Sequence, residues 1–374
     1  MKLIVAGGGT GGHLFPGIAV AEEFLERDLA NQVLFVGTER GIESRAVPAA
    51  GYELEVISAA GVRGKGSLNQ LKALFMMLYG YSQSRTILKR FKPDFVLGVG
   101  GYASLPMVLA ARGMQIPNFI HEQNAIPGMT NKLLAKVATQ VFITLEESGK
   151  YFPKDKILLT GNPLRKQILD TVRSRDKGQD SGEKPCSAPL TLDPCPSFRL
   201  FIFGGSQGAH AINMAITEAL PALAQGTIKI EITHQTGEKD FQQVAEAYRA
   251  AGIEANVTPF ISNMASEYAK ADLIICRAGA TTIAEATACG KPCLFIPFPH
   301  AVDDHQRRNA EALLKMNACF MVLEQELKGD HLATTIRELI NDPETLRRTS
   351  EAAFGMARLD AAKIIVDEMT KPSK

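Results

Sequence analysis

The chain has 374 residues, 45% of them hydrophobic and 22% charged, with a formal net charge of +1. That length predicts two domains with a core of ordinary size. The near-zero charge excludes a strong basic field for nucleic acid, and no apolar run approaches the ~18 residues needed to span a bilayer.

Short β-rich runs alternate with helical patterns throughout. Residues 3–6, 33–36, 53–57, 95–98, 118–121 and 141–144 read as buried strands. Leu14, Ile18, Ala21 and Leu25 recur at helical spacing and predict a helix over 15–27. This alternation predicts parallel sheets with crossover helices, an α/β fold. Residues 173–197, rich in Pro, Ser, Asp and Lys, break the pattern and read as a flexible surface insertion. Strands then resume near 199–203, 228–233, 272–276, 292–296 and 319–322, and 330–374 is helical in pattern, with breaks at Asp342-Pro343 and Leu359-Asp360.

The restart repeats the opening. Residues 2–13 read KLIVAGGGTGGH and residues 199–210 read RLFIFGGSQGAH. Each half therefore opens with a strand, a glycine turn and a helix. Two Rossmann-like domains facing a cleft are predicted, since ligands of such sheets lie beyond the carboxyl ends of the strands. The expected boundaries are 1–163 and 164–355, with 356–374 returning to the first domain.

The first turn, Gly7-Gly8-Gly9-Thr10-Gly11-Gly12-His13, combines close backbone approach with a helix N-terminus that attracts anions. It matches G-x-G-x-x-G, but Gly37 follows the second strand where a dinucleotide site wants an acid, so a dehydrogenase is poorly supported. His13 is the best general-base candidate, because a helix N-terminus favours the neutral imidazole that a base needs. Glu122 is the second. It belongs to His121-Glu122-Gln123-Asn124, four polar residues at a strand's carboxyl end that suit a cleft wall. Gly204-Gly205-Ser206-Gln207-Gly208-Ala209 has the mechanics of the first turn, and Ser206 could add a hydroxyl to a phosphate contact.

A third turn, Arg277-Ala278-Gly279-Ala280-Thr281-Thr282-Ile283-Ala284-Glu285, presents another helix N-terminus. Glu285 can accept both hydroxyls of a ribose or merely complement the helix dipole. Gln306 and Asn309, at i and i+3, suit sugar hydroxyls or an ordinary solvated helix start. No D-x-D occurs to hold a metal on a pyrophosphate, so helix N-termini and neutral or basic side chains would stabilise a departing diphosphate. No metal or cofactor is expected.

Leu68, Leu71, Leu74, Phe75 and Leu78, preceded by Arg63 and Lys65 and followed by Arg85, Lys89, Arg90 and Lys92, describe an apolar helix flanked by cations. Such a helix can lie on an anionic leaflet or pack into a core. The six cysteines form no C-x-x-C pair and no metal spacing with histidine, and read as reduced thiols. Residues 1–6 lack the length and cleavage site of a signal peptide, so a cytoplasmic place is expected.

GGGTGGH at 7–13, RGKG at 63–66, GVGGYASLP at 98–106, HEQN at 121–124, GNPLR at 161–165, GGSQGA at 204–209 and RAGATTIAEA at 277–286 stand in this order over most of the chain. Together they closely resemble the MurG family of bacterial N-acetylglucosaminyltransferases. The resemblance implies a GT-B fold and inverting transfer of N-acetylglucosamine from UDP-N-acetylglucosamine to the 4-hydroxyl of the muramoyl sugar of lipid I, giving lipid II. It implies donor contacts from Thr10, Gly11, Gly12, Asn124, Arg165 and Ser206, and uracil against the backbone near Ile261. Phosphates and ribose would fall to Ala280, Thr281, Thr282, Ile283, Ala284 and Glu285, and the sugar to Gln306. It also implies a peripheral place on the cytoplasmic face of the cell membrane, with the anionic inner leaflet and other cell-wall synthesis proteins as partners and no nucleic acid. The rivals are another GT-B enzyme with a different acceptor, and a sensor that binds the nucleotide sugar without turnover.

Overall fold

The structure is a computed structural model that describes residues 1–39, 41–59, 67–176, 197–205, 208–226 and 228–371. It divides into two compact units, Met1–Arg165 with Arg358–Lys374, and Lys166–Ala357.

The first unit is built on seven strands: β1 (Lys2–Gly7), β2 (Gln32–Gly37), β3 (Glu53–Val56), β4 (Phe95–Gly100), β5 (Asn118–Glu122), β6 (Gln140–Ile143) and β7 (Ile157–Leu159). Their order is β3-β2-β1-β4-β5-β6-β7, and every neighbouring pair is parallel. Ile4 of β1 lies in register between Leu34 and Val96. A parallel sheet is covered on both faces, which is why β1 reads as an unbroken apolar run. On one face the helix Gly11–Glu26 buries Leu14, Ile18, Ala21 and Phe24 against Leu3, Val5, Phe35, Phe119 and Phe142. The helix Ala361–Met369 adds Ile365, Val366 and Met369 to that cluster, so the end of the chain closes the core of its beginning. On the other face the helices Ser67–Phe91 and Ser104–Gly113 contribute Ile87, Leu88, Met107, Val108 and Ala111. Each such large side chain contributes about 1.5–3 kcal/mol through burial.

The second unit carries β8 (Ser197–Phe203), β9 (Lys229–Gln235), β10 (Ala255–Thr258), β11 (Leu273–Cys276), β12 (Cys293–Phe295) and β13 (Phe320–Met321). The order β10-β9-β8-β11-β12-β13 is again parallel throughout. Both sheets therefore reverse direction beside their first strand, at β1/β4 and β8/β11, where crevices for ligands form in doubly wound folds.

Several local expectations are corrected. The first helix begins at Gly11 rather than 15, with Thr10 in an extended conformation as its N-cap; glycine's poor helix propensity hides that start. Phe24, not Leu25, takes the last core position. Residues 173–176 finish the helix Lys166–Asp176 and Ser197 opens β8, which shortens the expected insertion to 177–196, outside the described residues. Leu164 and Arg165 group with the first unit: Leu164 is buried, and the Arg165 guanidinium lies over the Phe15 ring. Met356 and Ala357 stay with the second unit, their amides closing the end of the helix Pro343–Gly355 on Ala353 and Phe354.

Candidate active site

In the first unit the loops after β1, β4 and β5 meet at the sheet's reversal point. The glycine turn after β1 packs flush against the turn after β4. Gly7 has φ +144, and a Cβ there would stand 2.3 Å from the Gly100 carbonyl. Ser104 ties these turns together: its Oγ accepts from the Gly100 amide at 3.0 Å and lies 2.7 Å from the Ala6 carbonyl, to which it donates. Glu43 supports the turn from below. Its buried carboxylate accepts from the Gly9 amide at 2.7 Å and from the amide and hydroxyl of Thr38, each at 2.9 Å. Thr10 is exposed, while Gly11, Gly12 and His13 form the first turn of the helix.

His13 is half-buried, with Nδ1 held 2.9 Å from Gln123 Oε1. His121, Glu122 and Gln123 are all buried. Burial pushes the His121 imidazole down to about 4, so it is neutral near neutral pH. The Glu122 carboxylate accepts from the Asn124 amide and side chain, the Gly128 amide and Asn131 Nδ2, at 2.9–3.2 Å. With both oxygens engaged, it anchors the loop that carries Asn124. A reacting hydroxyl would find His13 more open to it than Glu122.

In the second unit the same ends of the strands carry the other candidates. Gly208, with φ +76, lies so close to Thr236 that a Cβ would stand 1.9 Å from its carbonyl oxygen. Ser206 lies outside the described residues. His210, the sequence counterpart of His13, is exposed, and its Nδ1 pairs with Asp240 at 3.0 Å. The repeat thus preserves the turn and not the histidine's surroundings. Buried Gln235 links two loops: its Nε2 donates to the Gly205 carbonyl at 2.9 Å and its Oε1 accepts the Ile261 amide at 2.8 Å. A uracil approaching here would meet an Ile261 amide already in use.

The helix Ala280–Ala288 starts behind Gly279, with no side-chain cap and no acid in its first turn. Its first amides point beyond β11, as phosphate recognition needs. Thr281, Thr282 and Ala284 are half-buried, and Ala280 and Ile283 are buried. Glu285 is buried in the second turn, too far along to serve as a first-turn dipole acid. Gln306 Oε1 accepts the Phe298 amide at 3.0 Å, and Asp303 and Asp304 just before it both adopt left-handed conformations. Asn309 is fully buried, donating to the Ala278 carbonyl at 3.3 Å, so it braces the third turn from behind. Arg277 is likewise a brace, bound to the Ile296 carbonyl and to Glu324.

What Glu43, Ser104 and Gln235 do is not read from the sequence, although Ser104 lies within GVGGYASLP, because the partners that tie loops together, Gly9, Ala6, Gly205 and Ile261, are distant in the chain. Among the described residues no group of acidic, histidine or cysteine side chains could hold a metal ion, and Cys276, Cys289, Cys293 and Cys319 are buried and form no disulfide.

The cation-flanked helix Ser67–Phe91 is divided in character. Ser84, Ile87 and Leu88 are buried, whereas Phe75, Leu78 and Tyr79 are 64%, 60% and 61% exposed. Arg85 and Lys89 are exposed one to three turns further on. Arg63 and Lys65, and the side chains of Leu68, Leu71 and Leu74, lie outside the described residues. No helix among the described residues is long and apolar enough to cross a membrane.

Comparison with known proteins places the chain in a family. Residues 3–143 match the glycosyltransferase family 28 N-terminal domain, and residues 199–365 the glycosyltransferase family 28 C-terminal domain. A Pelobacter propionicus protein named UDP-N-acetylglucosamine--N-acetylmuramyl-(pentapeptide) pyrophosphoryl-undecaprenol N-acetylglucosamine transferase is 65% identical over 100% of both chains. A Geobacter sulfurreducens protein of the same name is 61% identical over 100% of this chain and 99% of its own. The crystal structure of Acinetobacter baumannii MurG matches with a TM-score of 0.78 at 31% identity, covering 99% of each chain. A UDP-GlcNAc 2-epimerase from Neisseria meningitidis, 17% identical with a TM-score of 0.67 over 100% of each chain, shares the fold alone. The chain has the GT-B fold and belongs to glycosyltransferase family 28, within the MurG family.

Proposed function

We propose that this chain transfers N-acetylglucosamine from UDP-N-acetylglucosamine to the 4-hydroxyl of the muramoyl sugar of lipid I, with inversion, producing lipid II. The observation that carries this reading is 65% identity over the whole of both chains to a transferase so named. The site chemistry supports it. His13 takes the proton of the acceptor hydroxyl, whose oxygen forms a bond to C1 of the donor sugar as the bond from C1 to the diphosphate breaks. UDP leaves with the electron pair. The amides at Ala280, Thr281 and Thr282 receive the negative charge, Glu285 accepts the ribose hydroxyls, and the backbone carbonyl of Ile261, whose amide is held by Gln235, meets uracil. Thr10, Gly11, Gly12, Asn124, Arg165, Ser206 and Gln306 are assigned to the donor.

The protein is further proposed to act at the cytoplasmic face of the cell membrane. Exposed Phe75, Leu78 and Tyr79, followed by Arg85 and Lys89, favour contact with an anionic leaflet. Incubation with radiolabelled UDP-N-acetylglucosamine and a lipid I analogue tests the activity. Label in a lipid II product is expected. Binding of the donor without transfer would leave a sensor, and transfer only to other acceptors would point to a different glycosyltransferase. Sedimentation with vesicles tests the surface, and equal recovery with and without anionic lipid would count against it.

A further inference from the structure

Behind His13 runs a chain of side-chain hydrogen bonds whose direction is fixed by two carbonyl groups. Gln123 Nε2 lies 2.9 Å from the Val99 carbonyl and 3.1 Å from His121 Nδ1, while its Oε1 faces His13 Nδ1 at 2.9 Å. At the far end, His121 Nε2 lies 3.1 Å from the Gly161 carbonyl, with Thr144 Oγ1 at 3.4 Å. A carbonyl oxygen can only accept a hydrogen bond. Gly161 therefore requires the proton of His121 on Nε2, which leaves a lone pair on Nδ1. Val99 and that lone pair both require donors, so they fix the Gln123 amide with its nitrogen toward them. The amide oxygen is then the only group Gln123 can show His13, and it too can only accept. His13 must carry its proton on Nδ1.

From this we infer that Gln123 is a positioning residue that holds neutral His13 in the Nδ1–H form, with His121 and the carbonyls of Val99 and Gly161 enforcing the direction. This rests on the reading of His13 as the base. The consequence is specific: the lone pair that accepts a proton lies on Nε2, which has no hydrogen-bond partner among the described residues. The opposite tautomer would set two acceptors, His13 Nδ1 and Gln123 Oε1, against each other in a largely buried place. That penalty disfavours it on the order of tenfold to hundredfold, although free imidazole side chains commonly carry the proton on Nε2. His121 remains neutral through the reaction because burial holds it at about 4, so it passes direction and no charge. The relay spans β4, β5 and the strand-end loop at Gly161, all within the first unit.

The test is a long-range proton–nitrogen spectrum of the full chain labelled with nitrogen-15 histidine at neutral pH, with His13 assigned by comparison with His13→Ala. The chain has 7 histidines, few enough to resolve. A protonated Nδ1 and an unprotonated Nε2 are expected for His13, and the reverse for His121. A His13 proton mainly on Nε2, or an averaged mixture, overturns the inference, and this measurement needs no variant at Gln123 to fold. In Gln123→Met the His13 signals should become those of a mixture. Its kcat should fall about tenfold to hundredfold, with KM for UDP-N-acetylglucosamine nearly unchanged. Unchanged kcat, or a loss confined to KM, contradicts it. Failure of the underlying reading looks different: near-normal kcat in His13→Ala removes the base while the wild-type spectrum still reports the tautomer.

Discussion

The carboxylate of Glu43 accepts the amide of Gly9 at 2.7 Å. A buried side chain of the protein thereby occupies part of the ground that a pyrophosphate would take in a dinucleotide-binding Rossmann domain. The first glycine turn is supported from within, while Thr10 is exposed and His13 half-buried at its outer edge. Glu43→Ala would leave the Gly9 and Thr38 amides unpaired and should cost about 3 kcal/mol in stability. Thermal unfolding checks this, and an unaltered melting temperature would show that the carboxylate is dispensable. No change in NADH fluorescence is expected on mixing with the wild-type chain.

His13→Ala should lower kcat by about a hundredfold to ten-thousandfold, the usual range for removing a general base. Donor affinity should scarcely change, because the proposed base role sets His13 against the acceptor proton rather than the nucleotide. Steady-state kinetics together with donor calorimetry separates the two. Near-normal kcat would take the base role away from His13.

Glu285→Ala should weaken UDP binding about tenfold to hundredfold, the worth of charge-assisted hydrogen bonds to two hydroxyls. Titration calorimetry with UDP reads this directly. Equal affinity in the variant would remove the ribose assignment. A loss for UDP that persists with uridine alone would support it, since uridine keeps the ribose and lacks the diphosphate.

Gly208→Ala should destabilise the second unit by more than about 2 kcal/mol, because the new Cβ meets the Thr236 carbonyl and the backbone at φ +76 is strained for alanine. Denaturant unfolding should register the loss. Gly205→Ala is the informative control: φ is +93 there, but nothing lies within 4 Å of its Cβ, so only the backbone strain should be felt.

Stability should fall in mild acid. Burial holds His121 at about 4 and His234 at about 3, whereas histidines of the unfolded chain titrate near about 6.5. Between those values the unfolded state binds more protons than the folded one, so folding is fully favoured above about pH 6.5 and weakens as pH drops. The loss levels off once the folded imidazoles also protonate; for His121 it amounts to about 3 kcal/mol. Denaturant midpoints at about pH 7 and about pH 5 should differ in that direction, and His234→Asn should flatten the slope of the second unit.

The inner strands are legible in the sequence because burial on both faces writes them as apolar runs. β7 and β10 escape that reading. Each is an edge strand with one neighbour, and its half-buried residues carry a diluted pattern; β3, expected as a buried strand over 53–57, is likewise an edge strand, half-exposed, with Val56 46% exposed. The glycine turns, His13 and the HEQN segment are visible because glycine and strand-end polarity mark strand-to-helix turns. What Gln123, Glu43, Gln235 and Asn309 do is not visible. Each acts through a partner brought near only by the folded chain, and Asn309 has the spacing of a surface residue while being fully buried.

The helix Ala361–Met369 completes the core of a unit whose first strand is made before any of the second unit. On the ribosome, the sheet of the first unit must wait with Leu14, Phe35, Phe119 and Phe142 incompletely covered while the whole second unit is produced and can fold. The order in which the chain is made and the order in which its cores can close are therefore opposed. A nonsense mutation or protease cut just before Ala361 would leave the second unit whole and strip a side from the unit that carries His13.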